Sequence, residues 1–215
     1  LQLINRRLQL IEPWLAGGKL VAQAPSTDGV EIGLLLDVDR ARLLVPLPNE
    51  RAPQARVGGG TGRAAAKETV FVVPGIPETS QVFYFSPTTM RAIGSTRIAG
   101  GTKLSIPAAG GGYVVMTEDP QVLQSLQQRV SRDGARTLQL ERELAARRAR
   151  SLAYGTQRLA AAGVNAEVAA PAAAAVNQQL AQVDSQIAAG RLEQAHDEIA
   201  ILLREVDRTF AEQRL

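Results

Sequence analysis

The only histidine of this chain, His196, stands three residues after Glu193, and on a helix that step turns a carboxylate and an imidazole to one side. Two such steps joined by two further Glu from facing helices hold di-iron centres. The neighbouring apolar seam, residues 173–187, contributes Asp184 alone, so the pattern predicts a histidine at the edge of an apolar stripe beside Leu192 and Ile199, not a metal ligand. One imidazole and no cysteine leave no base for a triad in the first half of the chain, no multi-histidine metal site and no thiolate nucleophile. The expected catalytic set, metal site and cofactor are therefore none.

Carboxylates for glycoside hydrolysis must face each other roughly 5–10 Å apart across a cleft. Glu31, Asp37, Asp39, Glu118 and Asp119 all fall near the ends of expected strands, where acids are usually solvated, and nothing in their spacing selects an acid and a base. The Asp37-x-Asp39 pair is one fragment of a calcium loop and no more. In residues 49–67 a glycine cluster ends at Gly62 and is followed by Arg63 and three alanines. A phosphate loop needs Gly-Lys-Ser/Thr and a helix at that point, so this segment reads as a mobile surface loop.

Aromatic residues make up 4% of the chain, and three of them are consecutive: Phe83, Tyr84 and Phe85. Strand alternation sets Val82 and Tyr84 on one face and Phe83 and Phe85 on the other. If the two phenylalanines fill the core, Tyr84 faces outward, to cover a helix or to stack on a sugar. Trp14, after Pro13, reads as a plug between a helix and a sheet. Tyr84, Tyr113 and Trp14 are the candidate ligand-binding residues.

The elements that position these residues follow from periodicity. Leu1, Ile4, Leu8, Ile11 and Leu15 recur at steps of three and four, the stripe of one helix with nothing of its own to cover. From Leu20 to Thr117, short apolar runs alternate with Pro, Gly and Ser punctuation every eight to twelve residues, the rhythm of an antiparallel β-sandwich of about eight strands. Asp119 suits an N-cap and Pro120 the first helical position. Beyond them the period becomes 3.6. One long helix over 121–162 has Gly134 and Gly155 as weak points. Two more follow, with seams at Ala173, Val176, Leu180, Val183 and Ile187 and at Leu192, Ile199, Leu202, Leu203, Val206 and Phe210. This predicts an antiparallel three-helix bundle.

The division expected is residues 1–18 as a helix and linker from an upstream domain, 19–119 as the sandwich and 120–215 as the bundle. Net charge is only +3, too little for strong steering of nucleic acid. Residues 121–158 carry eight Arg against three acids, and residues 159–215 four Arg against eight acids. A basic helix lying beside an acidic hairpin is the simplest account. No run approaches the roughly 18–20 apolar residues of a membrane span, so neither nucleic acid nor membrane insertion is expected.

Across residues 11–120, the PWLAGG turn, the VVPGIPETSQVFYFSP segment, the GGTKLSIP strand and the closing YVVMTEDP resemble the C-terminal β-sandwich that follows TIM-barrel glycoside-hydrolase-like domains in large bacterial secreted proteins. The resemblance implies that the catalytic carboxylates belong to the barrel and that residues 1–15 lead from it. It also implies that the upstream domain of the same polypeptide is the partner of this chain. The expected function is that of a non-catalytic accessory and interaction fragment of a larger bacterial protein, carbohydrate-active or at the cell surface. It is expected to be exported to the periplasm, the cell surface or the medium. The alternatives are an independent carbohydrate-binding module and a structural or assembly module.

Overall fold

A computed structural model describes residues 1–49, 68–107, 111–161 and 169–213. The loop expected over 49–67 lies outside the described residues apart from Asn49, as do three residues of the glycine turn over 108–112 and the side chains of Ala173 and Phe210. In chain order the elements are α1 (Gln2–Leu10), α2 (Glu12–Gly17), β1 (Lys19–Pro25), β2 (Glu31–Val38), β3 (Ala41–Pro48), β4 (Glu68–Val73), β5 (Gln81–Phe85), β6 (Met90–Ala92), β7 (Ser95–Ile98), β8 (Gly101–Pro107), β9 (Tyr113–Thr117), α3 (Pro120–Ala161), α4 (Ala169–Ala188) and α5 (Leu192–Gln213). Two compact units result: residues 4–133, and residues 134–215 together with 1–3.

In the first unit the strands form two antiparallel sheets, one ordered β1-β2-β3-β9-β5-β6 and one ordered β4-β8-β7. A bridge from Ser26 to Phe71 and a 2.9 Å bond from the Thr27 amide to the Val70 carbonyl tie the β1–β2 turn to β4. Leu35, Leu44, Val82, Tyr84, Val114 and Met116 of the larger sheet share one buried cluster with Phe71, Val73, Leu104 and Ile106 of the smaller. The structure holds nine strands among its described residues, against about eight expected from periodicity; β6 and β7, three and four residues long, are too short to show a period.

The other face of the six-stranded sheet is covered too. Leu10, Ile11 and Trp14 from the first two helices and Leu126 and Val130 from α3 pack over Ala41, Leu43, Phe85 and Val115. A strand buried on both faces has no reason to alternate, and β9 is buried from Val114 through Thr117. Because Leu126 and Val130 belong to this cluster, the compact unit runs past the change of secondary structure at 119/120 and ends at Asp133.

The N-terminal stripe differs from the one the periodicity predicts. One helix gives way to two, with Ile11 as N-cap of the second and Pro13 in its first turn. The break rotates the register, so Leu10, Ile11 and Trp14 are buried. Ile4, Leu8 and Leu15 remain 58%, 45% and 51% exposed.

In the second unit α3 runs through Gly134 and Gly155 without interruption. Leu138, Ala145 and Ala149 of α3 meet Val176, Leu180 and Val183 of α4 and Ala195, Ile199, Leu202 and Val206 of α5 in one cluster. Basic and acidic helices also meet as their composition implies. Arg142 binds Asp184 through two bonds of 2.8 and 2.6 Å, and Arg148 pairs with Asp207.

The hydrogen bonds from Arg142 hold the Asp184 carboxyl below the usual carboxylate range. A carboxyl whose folded pKa is depressed contributes stability above its unfolded pKa and loses it as pH falls through the folded one. The urea midpoint of the wild type should therefore drop more than that of Asp184→Asn between neutral pH and pH about 3, with the difference below about 1 kcal/mol because the pair is exposed. Equal drops in the two proteins would show that the pair contributes nothing.

Candidate functional site

The β2–β3 connection is only two residues long, Asp39 and Arg40, between the paired Val38 and Ala41. Asp39 takes φ 48, the left-handed region that Asp tolerates better than most residues with a side chain. This tight turn holds Asp39 and Arg40 out between two concavities.

The first is a cleft of about 280 Å³ that gathers Asp37, Asp39, Arg40, Arg42, Ser80 and Glu118. Asp37 and Arg42 are cross-strand partners, and the guanidinium grips the carboxylate through Nε and Nη2 at 2.6 and 2.8 Å. Nη1 of Arg42 reaches the carbonyls of Pro74 and Gly75 at 2.8 and 3.1 Å. These bonds with Asp37 raise the Arg42 pKa above its ordinary value, so the guanidinium stays a fixed cation that ties the β4–β5 connection to β3. Glu118 accepts a hydrogen bond from the Thr79 hydroxyl. Asp37 and Glu118 are thus engaged as structure, and the polar groups the cleft offers a ligand are Asp39, Arg40 and the Ser80 hydroxyl.

The second concavity, of about 290 Å³, has Trp14, Val122 and Leu126 on its apolar side and Asp119 and Arg129 on its polar side. Asp119 caps α3, accepting the Gln121 amide at 2.8 Å. Arg129 donates to the Gln9 carbonyl at 2.7 Å.

Of the five carboxylates considered from sequence, the structure brings Asp37, Asp39 and Glu118 to one cleft and Asp119 to its neighbour. Glu31 lies at the opposite end of β2, about 20 Å away at ~3.3 Å per residue. Among the described residues no group of three His, Cys, Asp or Glu is placed to hold a metal ion. That includes the Asp37-x-Asp39 pair, whose first member is bound to Arg42.

The aromatic candidates are placed differently from one another. Tyr84 is 2% exposed in the cluster between the two sheets, with the Arg91 guanidinium 5.4 Å from its ring centre. Its outward placement is thereby corrected: Val82 and Tyr84 face the second sheet, whereas Phe83 and Phe85 face the helices. The strand alternation is as expected, but both faces are interior. Gly112 makes room for that tyrosine, since a Cβ there would stand 2.5 Å from its hydroxyl oxygen. Trp14 is 3% exposed and donates its indole N–H to the Ala41 carbonyl at 3.2 Å, the plug expected of it. Tyr113 is half-buried with its ring 5.5 Å from that of Phe85. Burial raises its pKa, opposed by the charge of Arg7.

His196 is 1% exposed, so it is inside the helical core and not at its edge. It pairs with Glu141 of α3, equally buried, with Nδ1 and Oε2 2.6 Å apart. Periodicity alone does not single out Glu141 as a partner of His196. Its signal was present: it is the one carboxylate at helical spacing between Leu138 and Ala145 on the apolar face of α3.

No protein family model, curated protein or solved structure matches this chain.

Proposed function

We propose that this chain is a non-catalytic accessory and interaction fragment of a larger bacterial protein that is carbohydrate-active or displayed at the cell surface. Its β unit acts as a sandwich module like those that follow glycoside-hydrolase-like barrels, its helical unit is a three-helix bundle, and its partner is the upstream domain of the same polypeptide. The single observation that carries the reading is the apolar strip on α1 and α2. Ile4, Leu8 and Leu15 remain about half exposed, and Leu8 and Leu15 line one shallow groove with Glu12. Exposed leucines arranged in a groove favour a protein surface as occupant. The resemblance to a module that packs on a barrel says which surface that is. Export follows from the same resemblance; among the described residues no helix is long and apolar enough to cross a membrane.

Docking is the direct test. A polypeptide extended by its natural upstream domain should melt at a higher temperature than the isolated chain, and Leu8→Glu with Leu15→Glu should abolish the increment while leaving the isolated chain's melting unchanged. No increment, or one insensitive to both substitutions, overturns the reading.

Independent recognition of neutral sugars by the β unit would need an exposed ring there, and Trp14 and Tyr84 are both interior. Neutral polysaccharides should bind no better than millimolar, about −4 kcal/mol. Calorimetric binding in the micromolar range that disappears in Tyr113→Ala would replace the accessory role with that of a carbohydrate-binding module.

A further inference from the structure

We propose that the solvent face of α3 towards its C-terminal end binds a polysaccharide whose sugar rings carry carboxylates, with Tyr154 under one ring and Arg147, Arg150 and Arg158 on the acid groups. The assignment rests on the reading of this chain as part of a carbohydrate-active or cell-surface protein.

These four residues recur at steps of three, four and four, so they share one side of the helix over about 16 Å at ~1.5 Å per residue. Tyr154 is 63% exposed, the one aromatic among the described residues that opens its ring to solvent to such a degree. All three arginines are exposed. The arginines between and beside them are differently placed: Arg142 and Arg148 turn to the neighbouring helices and pair with Asp184 and Asp207. Among the described residues no carboxylate forms an ion pair with Arg147, Arg150 or Arg158. Arg150 makes only a 3.4 Å bond to the Ala146 carbonyl of its own helix.

The chemistry of the face is specific in two ways. A guanidinium fork matches a carboxylate through two parallel N–H···O bonds. A tyrosine ring covers the apolar face of a pyranose while the hydroxyls around it stay in water. Arg147 and Arg150, three residues apart, stand about 5–6 Å from one another at the helix surface, and Arg158 lies eight residues beyond Arg150, about 12 Å along the axis, with Tyr154 between them, a spacing that acid groups on successive sugars flanking one stacked ring can follow. A nucleic acid fits less well, because it offers a base for stacking at every phosphate and this face has a single ring. The net charge of +3 also gives little long-range attraction for so dense a polyanion.

Affinity electrophoresis of the full chain through gels containing polygalacturonate, methyl-esterified polygalacturonate or no polymer tests the assignment, with competition by oligo(dT). Retardation is expected in polygalacturonate and not in the ester. Tyr154→Ala, and Arg147→Gln with Arg150→Gln and Arg158→Gln, should each weaken it at least tenfold, whereas Lys103→Gln, at an exposed position of the β unit, should not. Circular dichroism checks that the variants keep their helices, as expected at exposed positions. No retardation, equal retardation of wild type and variants, or tighter binding of oligo(dT) overturns the proposal, the last by assigning the face to nucleic acid. The upstream-domain experiment uses a different surface. Loss of the docking increment with retardation intact would reject the accessory role alone, and the reverse result would reject this site alone.

Discussion

Glu141→Ala should destabilise the helical unit by about 3–5 kcal/mol, because it leaves the imidazole of His196 in a dry core without the carboxylate it faces. Both side chains are 1% exposed and 2.6 Å apart, so each is the other's replacement for the bulk water that burial removed. His196→Ala should cost a similar amount for the converse reason. Replacing both at once, Glu141→Leu with His196→Phe, should recover most of the loss, since filling the space with apolar groups removes the burial penalty of both polar side chains together. Urea unfolding followed by circular dichroism at 222 nm, where the helices dominate, gives the four corners of the cycle. Single substitutions costing under about 1 kcal/mol would mean that the pair contributes little to holding α3 against α5.

Phe71→Ala should cost the β unit about 3–5 kcal/mol, the range for deleting a fully buried phenylalanine. The ring is 0% exposed between the sheets, and its edge lies 3.2 Å from where a Cβ of Gly33 would stand. The backbone of β2 thus approaches it as closely as a glycine allows. Collapse into the hole is opposed by Leu35, Leu44 and Leu104, each buried completely in strands held by their own ladders. The single tryptophan, Trp14, lies within the same unit, so its fluorescence reports the transition. A shift of less than about 1 kcal/mol would show that the core repacks freely.

Local instructions were legible in the sequence. Asp119-Pro120 starts α3 because a carboxylate and a missing N–H both suit a helix N-terminus, and the Asp119 cap is in place. Gly29, Gly100 and Gly190 hold positive φ at turns and ends where the chain reads as interrupted. The strands of β2, β3 and β5 follow their apolar runs. The seam of α4 is buried at Val176, Leu180 and Val183 as its spacing implies.

Of the candidate site, the sequence showed which residue types were present but not what they face. Period-two alternation states that Tyr84 and Phe85 point in opposite directions; it cannot state that both directions are interior, because the second sheet and the helices that cover the two faces come from distant parts of the chain. Asp37 looked like a solvated strand-end acid until the hairpin register set it opposite Arg42. His196 and Glu141 are separated by 55 positions, and nothing local pairs them. Capping, turns and periodicity depend on atoms within a few residues and are therefore written in the sequence. Burial and the partner of a charge depend on which surfaces the folded chain brings together, and that only the tertiary structure decided.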